Sequence, residues 1–65
     1  MTYHVVPHDG VWDVRPEGAE RDATSNLPNK TSAINTAKGF LMNKGGGKIC
    51  VHNETRIVQW IDVNP

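Results

Sequence analysis

Extended, partly alternating residues lie on both sides of Asp9-Gly10, and the two runs match each other. Asp-Gly between extended segments is the signature of a two-residue type I′ hairpin turn. Centred there, the pairing sets His8 opposite Val11, Pro7 opposite Trp12, Val5 opposite Val14 and Tyr3 opposite Pro16. The two-residue period of a strand then collects Tyr3, Val5, Pro7, Trp12, Val14 and Pro16 on one face. His4, Val6, His8, Val11, Asp13 and Arg15 share the other. The first set is apolar and aromatic and is the predicted core face, so register and hydrophobic pattern agree. Pro7 has no amide hydrogen to give a ladder, so the first strand should meet an open edge or a bulge there.

Glu17-Gly18-Ala19-Glu20 reads as the next turn, and Arg21 to Ser25 as a polar edge strand whose only apolar side chain is Ala23. Asn26-Leu27-Pro28 reads as a break. Ala33, Ile34, Ala37, Phe40 and Leu41 then recur three and four apart, which predicts a helix from Lys30 to Asn43 capped by Asn29. Trp12 and Val14 should be buried against Ala37 and Phe40. Gly39 lies off this stripe, and Gly45-Gly46-Gly47 should end the helix, with Gly45 as the left-handed cap. Lys48 to His52 alternates, with Ile49 and Val51 on one side and Cys50 and His52 on the other. After the turn Asn53-Glu54-Thr55, the run from Arg56 to Val63 is apolar on both sides: Ile57, Ile61 and Val63 against Val58 and Trp60. The predicted fold is one small α+β domain over residues 1–65, β-β-β-α-β-β, with an antiparallel or mixed sheet and one helix on one face.

Composition narrows the function classes. Sixty-five residues make one small domain with a marginal core. Seven Lys and Arg balance seven Asp and Glu, which removes the basic footprint of a dedicated nucleic-acid binder. A single cysteine, Cys50, excludes an internal disulfide. No apolar run is long enough for a membrane helix and no export signal is visible, so the expectation is a cytoplasmic protein.

Candidate chemistry is thin at this level. His4 and His8 share a strand face but stand four residues apart, about 13 Å along a strand, too far to ligate one ion. Cys50 and His52 are closer, yet two ligands do not make a site, so no metal, cofactor or small-molecule substrate is expected. Cys50 as a nucleophile needs a base and a third group to orient it, and no third group can be named. Gly45-Gly46-Gly47-Lys48 closes a helix, whereas a phosphate loop opens one. Two Asn-x-Thr sequons, at Asn29 and Asn53, have structural roles as cap and turn. A chain this short should also lack room for a concave pocket of a few hundred Å³. No enzymatic activity is expected.

His4-Val5-Val6-Pro7-His8, Asp9-Gly10, Trp12-x-Val14 and Glu17-Gly18-Ala19-Glu20-Arg21 together resemble the start of the small bacterial proteins known as domain of unknown function 2188. Ala33-Ile34-x-x-Ala37, Gly46-Gly47 and Val51-His52 fit the same pattern. The likeness runs from about residue 4 to residue 52. Beyond it, Asn53-Glu54-Thr55 replaces an expected glycine-containing turn, and the tail with Trp60 looks unlike the family. The resemblance implies a small cytoplasmic protein of bacterial or phage origin and supplies no activity.

The surplus apolar surface is the informative feature. One helix covers one face of a sheet, so Val6 and Val11, with Val58 or Trp60, are left on the open side. The expected function is a protein–protein interaction module, a homodimer with Trp60, Val58, Val6 and Val11 at its contact. Exchange of the final strands across the glycines is conceivable but not required. The alternative is nucleic-acid binding through the sheet by Arg15, Arg21, Lys48 and Arg56.

Overall fold

Asp9 (φ 48°) and Gly10 (φ 82°) are both left-handed, as a type I′ turn requires. They join β1 (Thr2–His8) to β2 (Val11–Pro16). The computed structural model, which describes all 65 residues, pairs these strands in the predicted register, from Tyr3 opposite Pro16 to His8 opposite Val11. Val14 is fully buried and Trp12 is half-buried, so the hairpin meets the core chiefly through Tyr3, Val5 and Val14.

The third strand is displaced from its predicted position. β3 is Thr24–Leu27, not Arg21 to Ser25. Asp22 is held aside by Arg15, and Ala23, the supposed apolar contact, is exposed. Leu27, expected to break the chain, sits opposite Trp12 and packs on the core. Asn26 accommodates the register shift between Trp12 and Val14 with φ at 59°, a conformation that asparagine tolerates better than most residues.

Helix α1 spans Lys30–Asn43, as the apolar spacing predicts. Its first turn is closed by the Asn29 side chain, which accepts the Ser32 amide hydrogen at 2.8 Å. Its last turn is closed by Gly45 (φ 88°) and by the Gly46 amide, which donates to the Leu41 carbonyl at 2.8 Å. Ala33, Ala37 and Leu41 are buried at four-residue intervals, and the small alanines let the helix lie close to the sheet. Phe40 stacks on Tyr3, ring centroids 5.5 Å apart. Gly39 is exposed, and a methyl group there would touch nothing within 4 Å. Gly39→Ala is therefore expected to stabilise the chain by about 0.5–1 kcal/mol, readable as a raised denaturation midpoint.

β4 (Gly47–His52) and β5 (Ile57–Val63) complete a five-stranded mixed sheet of order β3-β2-β1-β4-β5. The helical crossover carries the chain past β2 and β1 and sets β4 parallel to β1, with Thr2 opposite Lys48 through Val5 opposite Val51. That ladder stops before Pro7, so the missing amide hydrogen faces no partner strand, as expected. Ile49 and Val51 face α1 and are fully buried. β5 pairs with β4 antiparallel, but a bulge separates Gln59, opposite Val51, from Ile57, opposite His52. The extra residue reverses the alternation. Ile61 and Val63 reach the core as expected, while Ile57 pairs with the outward-facing His52 and is 46% exposed. Ile57 therefore does not join the helix-facing set.

Candidate functional site

The ladders align one row of side chains across the face that α1 leaves open: Trp60 on β5, Cys50 on β4, His4 on β1 and Arg15 on β2. The parallel pairing of β1 with β4 creates this row, bringing together residues 46 positions apart in sequence. His52, two residues beyond Cys50 on the same face, leans into it. The His4 and His52 rings lie 5.1 Å apart, with His4 Nδ1 2.9 Å from His52 Nε2. Cys50 Sγ is 3.4 Å from the same Nε2. On its other side the His4 ring meets Glu17, Nε2 to Oε1 at 3.1 Å. Three of the polar side chains that looked isolated in the sequence thus form one cluster, whose ligand-type atoms all lie within 4.8 Å of one another. Strand order decides this, and a pattern read strand by strand does not contain it.

The electrostatics favour uncharged forms at two of the three positions. Burial, reinforced by the negative charge of Glu17, pushes the Cys50 thiol above its ordinary value. Burial, reinforced by the neighbouring His4, lowers the His52 imidazole. This is the reverse of an activated cysteine nucleophile, which needs a depressed thiol pKa.

Beside the cluster lies a pocket of about 280 Å³, lined by His4, Val6, Asp13, Arg15, Asp22 and His52. The chain therefore does carry a concavity near the lower end of small-ligand sites, against the expectation from its length. Its charged groups are already engaged. Arg15 Nε donates to Asp22 Oδ1 at 2.8 Å. Asp13 accepts the Asn26 amide at 3.1 Å and lies 2.8 Å from His8 Nε2. His8 points into this contact and takes no part in the cluster.

The predicted interface residues separate into two groups. Trp60 is 55% exposed, and Val58 and Ile57 are equally open on the same edge strand. Val6 is exposed two strands away, beyond the His4–His52 pair, and Val11 is half-buried near the hairpin turn. Ile57 joins the first group through the bulge, which a strict alternation conceals. The four predicted nucleic-acid cations do not converge. Arg15 is held by Asp22, Lys48 lies 3.9 Å from Asp62, Arg21 sits in the β2–β3 connection and Arg56 in the β4–β5 turn.

No helix is long and apolar enough to cross a membrane. Comparison with curated proteins and with solved structures returned no match. A family profile described as an uncharacterized protein conserved in bacteria, DUF2188, matches residues 3–62. The match runs into β5 and takes in Trp60, so the family pattern extends past the limit at residue 52 that the motifs suggested. With residues 3–62 of its 65 matched, the chain belongs to the DUF2188 family of bacterial proteins.

Proposed function

We propose that this chain is a non-enzymatic protein–protein interaction module that pairs with a second copy of itself at the β5 margin of the uncovered sheet face. The observation that carries this reading is Trp60, more than half exposed in the middle of an edge strand and accompanied by exposed Ile57 and Val58. A large exposed aromatic within an apolar strip is typical of a contact anchor. Between Ile57 and Ile61 the edge carries no charge and no proline, two of the usual devices that keep strand edges from associating. The opposite edge is different: β3 has four residues, is mostly polar and is followed by Pro28. Zero net charge removes long-range repulsion between copies, and a two-fold arrangement covers the same strip on both. A reducing, cytoplasmic setting suits the single unpaired thiol. The four cations are dispersed and two of them, Arg15 and Lys48, already face carboxylates, so the nucleic-acid reading has no comparable support.

Sedimentation equilibrium tests the proposal. The wild type is expected to be dimeric at micromolar concentration. Trp60→Lys should weaken association by about 30-fold or more, the effect of losing an anchor worth at least about 2 kcal/mol, with unchanged far-ultraviolet circular dichroism. Val6→Lys, on the far side of the histidine pair, should leave association intact. A wild type that stays monomeric, or a Trp60→Lys variant that associates as tightly, overturns the reading.

A further inference from the structure

We propose that His4 Nδ1, Cys50 Sγ and His52 Nε2 form a three-ligand binding site for a zinc-class divalent ion, with the fourth position open to solvent from the adjoining pocket. The first observation is convergence. Around a tetrahedral zinc, neighbouring ligand atoms stand about 3.3–3.6 Å apart, given zinc–nitrogen and zinc–sulfur bonds of about 2.0–2.3 Å. The two distances at His52 Nε2, 2.9 and 3.4 Å, lie close to that spacing, and all three ligand atoms stand within 4.8 Å of one another. Ligands from two adjacent strands of one sheet hold their spacing without help from a loop.

The second observation is the tautomer. Glu17 accepts from His4 Nε2, which leaves the Nδ1 lone pair directed at His52 Nε2, 2.9 Å away. A carboxylate on the far nitrogen of a histidine is the support found around metal-ligating imidazoles, where it fixes ring orientation and raises basicity.

The third is proton accounting. His52 Nε2 lies within reach of both the His4 lone pair and the Cys50 sulfur, and one hydrogen on that nitrogen can serve only one of them well. A cation satisfies all three lone-pair donors at once. Two imidazoles and one thiolate match the borderline softness of zinc. On binding, the Cys50 S–H bond breaks, its proton passes to solvent and the thiolate pair coordinates the ion. His8 stands outside the set, occupied by Asp13.

The experiment titrates cobalt(II), and then zinc(II) in competition, into the chelator-treated full chain. The expected result is one ion per chain, with the visible bands of a tetrahedral cobalt site and a near-ultraviolet sulfur-to-cobalt charge-transfer band. Calorimetry in two buffers of different ionisation enthalpy should show about one proton released per ion. Cys50→Ser should abolish the charge-transfer band, and His52→Gln should weaken zinc binding about 100-fold or more. Glu17→Ala, at a positioning residue, should weaken it by about 10-fold while keeping the spectrum. His8→Gln should change nothing. A wild type without the cobalt–sulfur band overturns the proposal whatever the variants do. So does zinc affinity that survives in a folded His52→Gln chain.

Discussion

Leu41→Ala is expected to leave the domain at the edge of stability. Leu41 is fully buried and heads the fully buried side chains in volume. It stands on the last turn of α1, below Ala33 and Ala37 on the stripe that meets the sheet. Its Cδ2 would lie 2.9 Å from a methyl group built on Gly47, so it reaches the start of β4. Removing a buried leucine side chain costs about 2–5 kcal/mol, depending on how far the surroundings collapse. A chain of this length has about 3–10 kcal/mol in total. The alanines at 33 and 37 offer no bulk with which to fill the space. Urea denaturation should show the midpoint of Leu41→Ala far below that of wild type. Met42→Ala, one position along the helix and half exposed, should stay within about 0.5 kcal/mol. Equal midpoints for the two variants would mean that the helix docks on another face.

The hairpin and the helix were legible because each is written in local chemistry. Asp9-Gly10 names its turn type, and the turn then sets every pair from His8 and Val11 to Tyr3 and Pro16. Asn29, the spacing from Ala33 to Leu41, and Gly45 define both ends of α1 and its buried side. What escaped is non-local or irregular. β3 was misplaced because its placement rests on Leu27 meeting Trp12 and on Asn26 turning left-handed, neither of which follows from a period. The bulge between Val51 and His52 moved Ile57 to the open face against a run that alternates cleanly on paper.

The candidate site was hidden for a related reason. Cys50 and His52 were correctly placed on one face of one strand, and His4 on the matching face of another. Their meeting depends on β4 entering the sheet beside β1, not at an outer edge. A single sequence carries little information about parallel neighbours, since no turn joins them. Glu17, read only as a turn residue, is brought beside His4 where β2 ends; its amide donates to the Thr2 carbonyl at 2.9 Å. The third group that the sequence could not name beside Cys50 and His52 is His4, supplied by the topology.

Gly47→Ala tests that topology at its origin, and a loss of about 2–4 kcal/mol is expected. Gly47 opens β4 with φ at 152°, a conformation that residues with a side chain rarely adopt. A methyl group at this position would also run into the Met1 carbonyl. That carbonyl accepts the Lys48 amide at 2.9 Å, a bond that continues the ladder between β1 and β4 at its start. Backbone strain costs about 1–3 kcal/mol, and losing the bond adds about 1 kcal/mol. Gly45→Ala separates the two contributions. Its φ is also positive, at 88°, but a methyl group there meets open space. It should cost only the strain of a left-handed alanine, about 1–2 kcal/mol. A clear gap between the two denaturation midpoints would place the difference in the close packing around Gly47, against the Met1 carbonyl and Leu41 Cδ2. The same ladder sets His4 opposite Cys50, so a larger loss at Gly47 would tie its close approach to both the position of β4 and the assembly of the histidine–cysteine cluster. If both variants lose the same stability, Gly47 acts only through its own backbone, and the β1–β4 register is held by the buried Val5 and Val51 instead.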